Sequence, residues 1–254
     1  MKLAKARGEQ KNIEENQKSS IMSSEVTAKA KQIQSEIDGL EAESEKMGLQ
    51  RLKIKVGSEN QVGILSSIGG DFDFDYIDVR YDSSTGLYIF EGQGQWKNRN
   101  WYNDNGCSPL CVNYSTKNVG GEDGFALFSL HRDISIFNQR YYTLKSDFAT
   151  AIEWTNTAST NVGARGYGWK WQDNIYFNPN GAEFNSARQF GWYYFAYSDG
   201  KPSSGSVVSF KASTSHTWDT TSVSGISLAP WSIGFAWNTG SSHWEKETQI
   251  NVFY

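Results

Sequence analysis

Two spacings of apolar residues divide the chain. In the first fifty residues Val26, Ile33, Leu40 and Met47 recur every seven positions, and Ala30, Ile37 and Ser44 fall four after the first three of these. This heptad line predicts a helix with one narrow apolar seam, of the kind that pairs helices in a coiled coil. Ser23 or Ser24 followed by Glu25 would open the helix, and Gly48 would close it. Gly39 weakens the seam, because glycine costs about 1 kcal/mol inside a helix. An isolated helix of this length is marginal in water. Its seam therefore needs a partner, either a second copy of the chain or the chain's own β domain. On the first reading residues 26–47 form a homo-oligomer through Val26, Ile33, Ile37, Leu40 and Met47. The start of segment 1–50 is expected to be disordered.

From Leu52 the spacing changes to two. In GGDFDFDYIDVRYDSSTGLYIFEGQG, Phe72, Phe74 and Tyr76 alternate with Asp71, Asp73 and Asp75. DSSTG and a second apolar run follow, which predicts a hairpin. FALFSL, RYYTL, YGWKW, IYF, FGWYYFAY, SVVSFKA, WSIGFAW and QINVFY repeat the pattern between Gly, Asn, Asp and Ser clusters. Many short strands without intervening helices predict a mainly β fold. The expected architecture is an antiparallel β-sandwich or jelly-roll-like domain over 52–254, preceded by the helical, coiled-coil-like segment 1–50. No long-period repeat points to a propeller or solenoid.

Aromatic residues carry much of the apolar content. They make up 15% of the chain, and all ten tryptophans follow residue 95. Residues two apart on a strand share a face, so Tyr167, Trp169 and Trp171 line one face. Phe190, Trp192 and Tyr194 line one face of their strand, and Tyr193, Phe195 and Tyr197 the other. A sandwich strand has one inward face. The second aromatic face must be covered by the helix, buried by a partner, or left as a platform. The stretch QWKNRNWYNDNGCSPLC, residues 95–111, sets rings among amides. It reads as a recognition loop in which Trp96, Asn98, Asn100, Trp101, Tyr102 and Asn103 would bind ligand beside Tyr167, Trp169 and Trp171. Cys107 and Cys111, the only cysteines, would close that loop as a disulfide in an oxidising compartment. Two free thiols in a reducing one are the alternative.

Charge and motifs narrow the chemistry. The formal net charge is −4 with a pI near 5.5, and no basic patch points to nucleic acid. No apolar run reaches the roughly 20 residues of a membrane-spanning helix. The N-terminus lacks the apolar core of a secretory signal, so the expected location is cytoplasmic, or outside the cell by a non-classical route. No metal is expected. His131, His216 and His243 are widely separated, and the single cysteine pair lacks a second pair for zinc. Calcium on the Asp71/Asp73/Asp75 face lacks a complete motif, since an EF-hand loop from Asp71 would meet Tyr76 where Gly is needed. No cofactor is expected. Glu153 and Glu183 are the candidates for a glycosidase pair, but nothing in the sequence sets them opposite one another.

A helix-forming segment, then LKIKVGSENQVG, then an aromatic β domain resembles the layout of the actinoporin group of pore-forming proteins. The resemblance covers about a dozen residues and the general plan. It implies a helix that enters membranes and an aromatic cluster that holds lipid headgroups. The helix here is rich in Lys and Glu rather than strongly apolar, and the chain is not assigned to that group. The leading expectation is a non-enzymatic, lectin-like protein that binds a glycan or another surface ligand through its rings. A membrane-binding or pore-forming protein and a glycoside hydrolase are the alternatives.

Overall fold

The computed structural model describes residues 24–56, 71–98, 115–146, 150–154, 165–178, 181–218, 221–229, 232–238 and 242–254. It contains a helix, α1 (Ser24–Lys46), and fourteen strands. These are β1 (Leu49–Arg51), β2 (Lys53–Val56), β3 (Phe72–Asp82), β4 (Leu87–Trp96), β5 (Ser115–Ser129), β6 (Ile134–Leu144) and β7 (Ala151–Glu153). They continue with β8 (Gly166–Asn178), β9 (Gly181–Phe184), β10 (Arg188–Tyr197), β11 (Val207–Thr217), β12 (Val223–Ala229), β13 (Ser232–Trp237) and β14 (His243–Phe253). The chain is mainly β, and every strand pair is antiparallel.

The first sheet runs β1-β3-β4-β10-β6-β7 and the second β2-β14-β11-β5-β8-β9. Their inner faces meet through rings. Phe90 of the first sheet lies 5.0 Å from Phe210 of the second, and Tyr141 lies 4.7 Å from Trp171. Gly92 and Gly191 sit opposite each other in the first sheet. A Cβ at Gly92 would come within 2.7 Å of Leu127, and one at Gly191 within 2.9 Å of Phe125. These glycines let large side chains of the second sheet press against bare backbone. A second apolar cluster, with Phe72, Trp96, Ile175, Phe184 and Trp244, closes one end of the fold. The β12–β13 hairpin lies on the outer face of the second sheet, where Val223, Ile226 and Phe235 pack on Ala126 and Phe128.

That hairpin has a pH signature. Burial, with Glu247 beside it, pushes the Glu245 carboxyl up to about 7, and the Phe235 main chain hydrogen-bonds it. The fold favours the neutral acid. Its stabilising contribution is therefore full below about pH 4.3, the ordinary glutamate value. It is lost as the pH rises through about 7. Glu245→Gln should flatten the fall in melting temperature across that window. A difference curve between the two proteins that stays level from pH 4 to 8 would contradict this placement.

The expected helix forms and ends at Gly48, whose φ of +92° supplies the left-handed cap. The expected coiled coil is not supported. Ile37 and Ser44 are the buried side chains of the described helical positions, Leu40 is half-buried, and Met47 is 62% exposed. The helix docks on its own first sheet: Arg80 Nη1 donates to Ser44 Oγ at 3.0 Å, and Arg51 pairs with Glu41 at 3.2 Å. The side chains of Val26 and Ile33 lie outside the described residues.

The alternation expected along β3 breaks at a bulge between Phe74 and Tyr76. Phe72 and Phe74 stay in the core, while Tyr76 joins a cluster with Phe190, Tyr142 and Trp192 on the outer face of the first sheet. The acids of the expected solvated face are bound up instead. Asp73 pairs with Lys246 and Lys97, and Asp75 accepts from Gln93 Nε2 at 3.2 Å.

Candidate aromatic groove on the first sheet

β10 places rings on both faces. Tyr193, Phe195 and Tyr197 point into the core and are buried. Phe190, Trp192 and Tyr194 point outwards. There they line a groove of about 460 Å³ with Ile89, Glu91, Tyr142 and Ala151. Trp192 and Tyr194 are half-exposed, with ring centroids 5.6 Å apart and edge to face. Phe137, opposite Tyr194 in register, is 45% exposed and extends the aromatic surface.

Two irregularities frame the groove. The β3 bulge turns Tyr76, Asp78 and Arg80 to the groove side. A second bulge separates the pairs Trp192–Arg140 and Tyr194–Phe137. Asn138, in that second bulge, has φ +47°, which asparagine tolerates better than most residues. Bulges of this kind re-aim side chains next to binding surfaces.

A buried polar network forms one wall. The Tyr76 hydroxyl is within donating distance of Asp78 Oδ2 (2.7 Å) and Glu91 Oε1 (2.6 Å). Arg80 Nη2 donates to the same hydroxyl at 3.1 Å, and Arg80 Nε to Asp78 Oδ2 at 3.1 Å. One phenol proton cannot serve two carboxylates at once. Both contacts are satisfied when one acid is protonated and donates to the phenol oxygen. Burial raises the pKa of Glu91 against the opposing pull of Arg80, whose Nε lies 3.7 Å from Glu91 Oε1. Glu91 also lines the groove.

Those of the expected site residues that are described fall elsewhere. Trp169 and Trp171 are each 1% exposed and belong to the core between the sheets. Their strand does carry three rings on one face, but that face points inwards. Tyr167 is half-buried against the same core, 5.0 Å from Trp169. Trp96 ends β4 inside the second apolar cluster, 4.9 Å from the His216 ring, so it offers no open face. Asn98 is exposed, and its Nδ2 donates to Asp71 Oδ1. Asn100, Trp101, Tyr102, Asn103, Cys107 and Cys111 lie outside the described residues. Glu153 pairs with Arg140 at 3.0 Å on the first sheet, and Glu183 with Lys145 at 3.6 Å beside the second.

Glu91 and Tyr142 line this groove without any signal in the sequence, although the double aromatic face of β10 is legible in FGWYYFAY. Among the described residues no helix is long and apolar enough to cross a membrane. The chain matches no protein-family model, and no curated protein is significantly similar to it.

Proposed function

We propose that this is a binding protein that takes a glycan in the groove on the outer face of the first sheet. The carrying observation is the second aromatic face of β10. Phe190, Trp192 and Tyr194 are not needed by the core, which already holds Tyr193, Phe195 and Tyr197. Sugar C–H faces stack on such rings, and a few fixed polar groups set orientation. Glu91 and Arg140 are the polar groups nearest to hand along this face. Half-buried Leu40 and exposed Met47 leave part of the heptad line for a second copy, which would raise avidity without new contacts.

Trp192→Ala and Tyr194→Ala should each weaken binding to the best ligand of a glycan array by about tenfold or more, the scale of a binding hot spot. Melting temperature should move little, because both rings are half-exposed. Unchanged affinity in both variants would sink the groove as the binding site. One observation favours a second reading. A carboxyl group with a raised pKa inside an aromatic groove is what a glycoside hydrolase uses as its general acid. Turnover of a polysaccharide by the wild type that disappears in Glu91→Gln would move the protein to that class.

A further inference from the structure

A buried polar layer separates the two apolar clusters. Asp123 on β5, Asp173 on β8 and His216 on β11 come from neighbouring strands of the second sheet. They continue inward rows that carry Phe125 and Trp171 two residues away. Asp123 is 1% exposed, Asp173 0% and His216 1%. Phe125 and Trp171 belong to the core cluster on one side. On the other side, the rings of Trp96 and Trp244 lie 4.9 and 5.5 Å from His216. Two carboxylates in such surroundings are costly to desolvate.

Their spacing suits a cation. One donor atom from each residue lies within 4.8 Å of the other two. His216 Nδ1 is 3.0 Å from Asp123 Oδ2 and 3.6 Å from Asp173 Oδ2. Tetrahedral donors at ordinary zinc distances stand about 3.3 Å apart, between those two values. Asp123 is already held in place, since its Oδ1 accepts from the Thr217 N–H at 2.8 Å, the kind of outer support that ligating carboxylates have. With an imidazolium the three groups sum to −1, and with a divalent cation and neutral imidazole they sum to zero.

A second observation points the same way. The Tyr141 hydroxyl is fully buried and has no hydrogen-bond partner among the described residues. Its ring packs 4.7 Å from Trp171 and 5.5 Å from Phe125, the inward neighbours of Asp173 and Asp123. The buried ring therefore borders this layer.

We propose that Asp123, Asp173 and His216 bind one first-row divalent cation, Zn2+ or Mn2+, in the layer that Tyr141 borders. Mixed imidazole and carboxylate donors select such ions over Ca2+ or Mg2+, which take oxygen ligands. The cation takes the place of the Nδ1 proton, which leaves to solvent.

The test uses the full chain, stripped with a chelator and dialysed. Added ZnCl2 or MnCl2 should be retained at close to one equivalent by equilibrium dialysis and should raise the melting temperature. CaCl2 and MgCl2 should do neither. Asp173→Asn and His216→Ala should lose the equivalent, while His131→Ala keeps it. In case the buried variants do not fold, Co2+ is added to the wild-type protein. Intense visible d–d absorption of a low-coordinate nitrogen and oxygen site supports the proposal. A spectrum like aqueous Co2+ overturns it. Absence of retained metal in the wild type overturns it, as does equal retention by a folded Asp173→Asn variant.

Discussion

Trp171→Ala should cost about 3–5 kcal/mol of stability, the range for removing a large buried aromatic, and should do so without touching the groove. The indole is 1% exposed, packs tilted at 4.7 Å against Tyr141, and donates Nε1–H to Ser186 Oγ at 3.1 Å. Truncation leaves both a cavity and a buried hydroxyl without its donor. Chemical denaturation would read the loss as a lower midpoint at unchanged slope. Whatever ligand binds at Trp192 should still bind the folded fraction with wild-type affinity. A variant that unfolds like the wild type but loses ligand would return Trp171 to the role of platform.

Arg80→Ala is expected to be comparably severe. Arg80 and Asp78 are 6% and 1% exposed at their side chains, and the guanidinium bonds Asp78, Tyr76 and Ser44. Removing one partner of a buried ion pair typically costs about 3–5 kcal/mol, because the other charge stays behind. Arg80→Ala with Asp78→Asn should recover part of that loss, since the buried Asp78 carboxylate is gone while the Glu91 contact of Arg80 at 3.7 Å stays broken. A double variant as unstable as the sum of the two single ones would show that the pair is not coupled. The helix should loosen in the single variant. Faster amide exchange across residues 37–46 would follow from the lost Ser44 contact.

How far the sequence disclosed the fold can be traced residue by residue. Period-two runs and Gly/Asn/Asp turns were enough for an antiparallel β chain, and the heptad line with Gly48 was enough for a helix and its end. Faces were harder. Tyr167, Trp169 and Trp171 have the same spacing whether they line a core or a surface, and only the opposite sheet decides between the two. β10 was more informative, because rings on both faces cannot all point inwards. Tyr76 went astray for a local reason: one extra residue at a bulge reverses every later side chain. Asp123, Asp173 and His216 carried no signal at all, because their closeness comes from the order β11-β5-β8 rather than from any spacing along the chain.

One pairing constrains how the protein is made. Among the described residues β2 pairs only with β14, and β14 stands between β2 and β11. During synthesis the second sheet has a gap until residues 243–253 leave the ribosome. Up to that moment Lys53–Val56 has no strand to meet among the described residues, and the β11 edge from Val207 to Thr217 lies open to any other extended chain. Folding of the second sheet therefore waits for β14. A nascent chain stalled before His243 should be held by chaperones and cut by proteases at β2 and β11. Emergence of the eleven residues of β14 should end both together.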